Sequence, residues 1–206
     1  MIALAAAGAL DNAGSPFFLP NLFMKYRPFS MLAAAAVLLL PSLAASAEDK
    51  AAPATLKVGE LAFTASAPWK VSEEKRPMSA GTITLPGKDG APELSAVFYH
   101  FGPGQGGDLN SNIQRWEAMF TAEPAPKTAK EEFDFGKEKA TLVSITGTYT
   151  GSRFSPEKEP RADWLLLAAV IPSAEGDVYV RFVGPSAAVT AAKDDFKKLL
   201  QTPAAK

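Results

Sequence analysis

The chain has no cysteine, a single histidine and no excess of charge of either sign. Without cysteine there is no disulfide framework, thiolate metal site, iron–sulfur cluster or thiol nucleophile. One imidazole rules out a polyhistidine metal centre and leaves one ring for acid–base chemistry. Lysine and arginine number 21 against 22 acidic residues, a net charge of −1, which offers nucleic acid no electrostatic footprint. There is also no uninterrupted apolar run of the roughly twenty residues that a membrane-spanning helix needs.

What is present is globular composition: 206 residues, 47% hydrophobic and 21% charged. The N-terminal part departs from it. Lys25 and Arg27 precede an apolar stretch, Met31–Leu40, and Ala45-Ser46-Ala47 supplies small residues for cleavage. This is the layout of a secretory signal peptide over 24–47, cleaved after Ala47 and delivering an exported, periplasmic or secreted protein. An uncleaved N-terminal anchor is the alternative. Residues 1–23 precede a second methionine, Met24, and read as a mis-called extension, or else as a long positive region of the same signal. Cleavage leaves 159 residues with net charge −2, a size suited to one domain and carrying no stable membrane span.

Residues 48–55 are Ala/Pro-rich and read as a linker to a single domain over 56–201, with 202–206 as a tail. Leu56–Ser66 alternates, with a turn at Gly59-Glu60, and Trp69 after Pro68 reads as a buried anchor at a strand start. Strands over Ser79–Leu85 and Glu93–Phe101 flank the turn-rich Pro86–Gly90 and form a hairpin. Leu109, Ile113, Trp116 and Phe120 make one apolar helical stripe. Asp108 is its N-cap, or Ser111-x-x-Gln114 a capping box one turn later. Thr128–Phe135 and Lys139–Tyr149 pair across Gly136–Glu138. Gly151–Arg161 is a charged loop. Asp163–Ile171 and Asp177–Val183 form another hairpin, the first lacking alternation as a strand covered on both faces does. Ala187–Leu200 closes the domain as a helix with Ser186 as cap. Hairpin-length connections predict an α+β fold, an antiparallel sheet with helices packed on its opposite faces.

The strand with Pro68-Trp69, the helix Leu109–Phe120, the turn Phe135–Lys137 leading into Thr146–Tyr149, the hairpin Trp164–Val183 and the closing helix with Phe196 together resemble the PsbP-like fold. The run Phe98–Gly107 with Trp116 downstream is similar to a group of exported bacterial proteins of unknown function. The resemblance implies an α/β/α sandwich and a non-enzymatic role as a binding or assembly accessory, and it supplies no metal or cofactor motif.

Among local features, the segment Gly102–Gly107 leads into a helix N-terminus, where backbone N–H groups can meet an anion. A small-anion site there would use His100, Gln105, Gly106, Gly107 and Arg115. It lacks the phosphate-loop Gly-Lys-Ser/Thr and G-x-G-x-x-G patterns, and Asp108 repels an anion, so a tight turn needing positive φ is the better reading. Asp108 and Ser111 are the only nominees to complete a triad with His100, with no spacing to support them. The adjacent carboxylates Glu73-Glu74, Glu131-Glu132 and Asp194-Asp195 point apart and read as solvated surface. Trp116 and Trp164 fall in core elements, which argues against a sugar platform with Trp69. The expectation is therefore a cofactor-free module with no metal and no catalytic set, whose partner is a protein or another cell-envelope component. A periplasmic enzyme or small-anion binder at the glycine turn is the alternative.

Overall fold

The computed structural model describes residues 52–88, 90–151 and 159–205. The extension, the signal peptide, the first half of the linker and most of the charged loop lie outside them.

Nine strands and two helices follow in the order β1 (Ala54–Val58), β2 (Leu61–Ala65), β3 (Lys70–Ser72), β4 (Gly81–Leu85), β5 (Leu94–His100), α1 (Leu109–Glu117), β6 (Lys127–Phe135), β7 (Glu138–Tyr149), β8 (Arg161–Ile171), β9 (Val178–Pro185) and α2 (Ser186–Gln201). A 3₁₀ turn, Thr202–Ala205, ends the described chain. β1 and β2 form a two-stranded ribbon; the other strands make one antiparallel sheet in the order β3-β4-β5-β9-β8-β7-β6. The fold is mixed α+β and mostly sheet.

Strand alternation decides what each face buries. On one face Phe98, Leu142, Leu167, Val180 and Phe182 join Val189, Phe196 and Leu200 of α2 and Phe63 of the ribbon. On the other, Val143, Ile145, Leu166 and Ala168 meet Ile113 and Trp116 of α1. The two helices therefore lie on opposite faces. β8 sits between β9 and β7, and Leu165–Ala169 is buried without a break. That is why its sequence does not alternate. Trp69 is buried as expected, its ring 5.4 Å from Phe182 and 6.4 Å from Phe196.

Several expectations need correction. Ala54 and Thr55, assigned to the linker, pair with Ala65 and Thr64 in the ribbon. The α1 helix ends at Glu117, and Phe120 instead forms a bridge to Tyr149. The capping box is not used, because Asp108 already caps the helix. Ser186 does not cap α2: β9 runs straight into the helix through Pro185, and the Ser186 hydroxyl is buried without a partner. Thr202 is no fraying tail. Its hydroxyl accepts the Thr64 N–H at 2.9 Å and donates to the Leu199 carbonyl at 2.8 Å, tying the chain end to β2. Among the described residues no helix is long and apolar enough to cross a membrane.

Candidate functional site

The glycine turn between β5 and α1 is built from inward-facing carbonyls. Gly102, Gly104 and Gly107 have positive φ, the tight turn expected of them. The Gln105 N–H returns to the Gly102 carbonyl at 3.2 Å. Asn112, 6% exposed, donates its amide to the Gly106 carbonyl at 2.9 Å and to the Asp108 carbonyl at 3.0 Å. The Tyr179 hydroxyl donates to the Gly107 carbonyl at 3.2 Å. Gly106 itself is needed for close approach: a Cβ there would lie 2.2 Å from the Tyr179 oxygen. Asn112 and Tyr179 were missed as site residues. A polar residue one step off a helical stripe carries no signal of its carbonyl partners, and Tyr179 comes from a strand 72 positions away.

Asp108 occupies the helix N-terminus. Its carboxylate accepts the Ser111 N–H at 3.0 Å and the Ser111 hydroxyl. The Ser111 hydroxyl first, then its N–H, holds the Asp108 carboxyl below its ordinary pKa, so the cap is an anion. A hollow of about 480 Å³ does open beside the turn, between Gly102–Asp108 and the β8–β9 connection Ser173–Asp177, floored by Tyr179. Burial raises the Tyr179 pKa, and the charges of Asp177 and Asp108 raise it further against Arg115. Asp108 and Asp177 in the hollow's lining oppose a small anion there.

The five nominated residues do not converge. Gly106 and Gly107 line the hollow; His100, Gln105 and Arg115 do not. Arg115 lies beside Gly107, its guanidinium 3.0 Å from where a Cβ there would sit, and donates to the Asn112 side-chain oxygen at 3.4 Å. His100 shares the face of Phe98, away from α1. Its Nε2 is 3.0 Å from the Glu175 carbonyl, and its ring packs against Gly59, where φ is +57 and a Cβ would sit 3.1 Å from the imidazole. His100, Asp108 and Ser111 are therefore not assembled as a triad. His100 instead closes a clasp in which Glu60 accepts the Ser173 hydroxyl and the Ala174 N–H. Asp108, as the cap, occupies the helix N-terminus that an anion at this turn would approach.

Polar and aromatic groups do gather on the face that α1 covers only in part. Phe101, 42% exposed, lies 6.3 Å from the Tyr99 ring and 6.2 Å from that of Tyr179. The Arg181 guanidinium stands 4.5 Å over the Tyr99 ring and donates to its hydroxyl. Across the same end of β5, the turn Arg76–Ser79 presents Met78 with φ 62 and 73% exposure. That position of a turn usually takes glycine. The Ala80 N–H bonded to the Phe98 carbonyl sets this turn beside the Tyr99–Phe101 end of the strand. Further along the face, Tyr149 stacks on Trp164 at 5.2 Å, with Arg161 over the indole.

No family model matches the chain, and no curated protein does. Among solved structures it is similar to a protein of unknown function from Pseudomonas aeruginosa described as a putative regulator. The identity is 15% over 73% of this chain and 94% of that one, with a TM-score of 0.40.

Proposed function

We propose that this chain is an exported accessory domain that works by binding a protein of the cell envelope, without a cofactor of its own. The observation that carries the reading is the strip Tyr99–Phe101–Arg181. Phe101 and Met78 are the large apolar side chains that stand exposed among the described residues. Arginine stacked on tyrosine next to exposed apolar groups is the composition of protein-binding anchors, and a partner offering carboxylates and apolar side chains fits it. The signal-peptide pattern of residues 24–47 supports export, and two helices on opposite faces of an antiparallel sheet support the PsbP-like sandwich as the fold family. Against the anion-binder alternative, His100, Gln105 and Arg115 do not line the hollow beside the glycine turn.

The test is photo-crosslinking in the exporting host, with a benzophenone amino acid in place of Phe101 or Met78, followed by fractionation. One discrete adduct in the envelope fraction, weakened by Arg181→Ala, is expected. A full-length chain confined to the cytoplasm overturns export, and absence of a discrete adduct at both positions overturns the binding strip.

A further inference from the structure

The sheet ends differently at its two edges. β3 has three residues, whereas β6 has nine and carries no strand on its outer side among the described residues. The two-residue turn Gly136-Lys137 joins β6 to β7 with Phe135 opposite Glu138. Hydrogen-bonded pairs then alternate from that turn, so Lys127, Ala129, Glu131, Phe133 and Phe135 bond toward β7. Thr128, Lys130, Glu132 and Asp134 direct their N–H and C=O groups outward. The Gln201 side-chain amide, which reaches the Asp134 carbonyl at 3.0 Å from outside the sheet, agrees with this assignment.

From this edge we infer that β6 pairs with β6 of a second copy of the chain, antiparallel about a two-fold axis at Glu131. Only residues that both bond outward can oppose each other as a hydrogen-bonded pair, and this register opposes Lys130 to Glu132 of the second copy, twice. It also opposes Thr128 to Asp134. Both residues of the first pair are exposed, and neither has an ion pair among the described residues, Lys139 beside Glu132 being paired with Asp134. On the other face Ala129 meets the larger Phe133. The two Glu131 side chains approach each other, but each is held by Lys193 and Lys197 of its own α2, at 3.0 and 3.5 Å.

An axis at Lys130 opposes the two lysines. An axis at Glu132 opposes two exposed glutamates that no lysine holds, and it sets Lys130 against Asp134, which Lys139 already pairs. A slip of one residue sets buried face against exposed face. Charged side chains on an edge ordinarily discourage pairing. Here the two signs are ordered so that the edge complements itself, which like-charged edges do not. This inference is independent of the proposed function.

Sedimentation velocity and light scattering on the purified exported protein test it. Dimerisation is expected, with Lys130→Glu and Glu132→Lys each weakening it by about ten-fold, since each creates two like-charge cross-strand contacts. The double variant K130E/E132K restores opposite charges and is expected to return to within about two-fold of the parent. Circular dichroism checks that each variant keeps its strands. A monomer at all concentrations overturns the inference, as does a dimer whose affinity ignores Lys130→Glu, or one that the double variant fails to rescue.

Discussion

Glu60 accepts the Ser173 hydroxyl at 2.9 Å across 113 positions of sequence, and the same oxygen accepts the Ala174 N–H at 2.7 Å. One carboxylate thus joins the β1–β2 turn to the β8–β9 turn, with His100 closing the clasp from β5. The hydroxyl bond first, then the backbone bond, lowers the Glu60 pKa. The unfolded chain therefore takes up its proton more readily. The stabilisation is complete above the ordinary carboxyl value, 4.5 for this group, and is lost as pH falls through the lower folded value. Asp108, held by Ser111, and Asp134, held by Lys139, have the same sign.

Glu60→Gln should accordingly lower the urea midpoint at about pH 7, and the gap from the parent should close near pH 3. Urea titrations at both pH values check this. An equal gap at both would mean that the carboxylate charge plays no part in the clasp.

Gly106→Ala should destabilise by about 1–3 kcal/mol, because the new methyl lands on the Tyr179 ring and must displace it or the turn. Tyr179→Ala, which removes the ring lying 2.2–2.4 Å from that methyl, should cost less in the Gly106→Ala background than in the parent. Thermal melts of the single and double variants decide it.

Asp108→Ala should lower the melting temperature by uncapping α1, and inorganic phosphate should not stabilise the parent protein. Thermal shift in a phosphate series measures both. A phosphate shift in the parent that disappears with Arg115→Ala would reinstate the anion site.

Phe196→Ala should cost about 3–5 kcal/mol, since the ring is fully buried against Trp69 and Phe182. Denaturant unfolding would reveal a shortfall if the site collapses.

Thr202→Ala should cost about 1 kcal/mol through loss of the Thr64 and Leu199 bonds, where a fraying tail would predict nothing. The same measurement distinguishes the two.

Hairpins and helices were legible because their signals are local. The alternation of Phe98 and Tyr99, the α1 stripe of Ile113 and Trp116, and the Gly136-Lys137 turn each depend on residues a few positions apart. β3 was legible only as a strand start at Trp69, because three residues are too few to show a period. The tail was misjudged because Thr202 owes its order to Thr64, 138 positions away.

The sequence by itself determined the two apolar sets and the continuous burial of β8, and narrowed the α1 cap to Asp108 or the Ser111–Gln114 box, because side-chain period and capping chemistry act within one element. Only the tertiary structure decided the strand order that sets β5 beside β9. That order carries His100 to the face opposite α1, brings Tyr179 under the glycine turn, and leaves β6 as the long open edge. Those outcomes depend on which elements bury each other's faces, a choice made by packing across the whole sheet rather than along the chain.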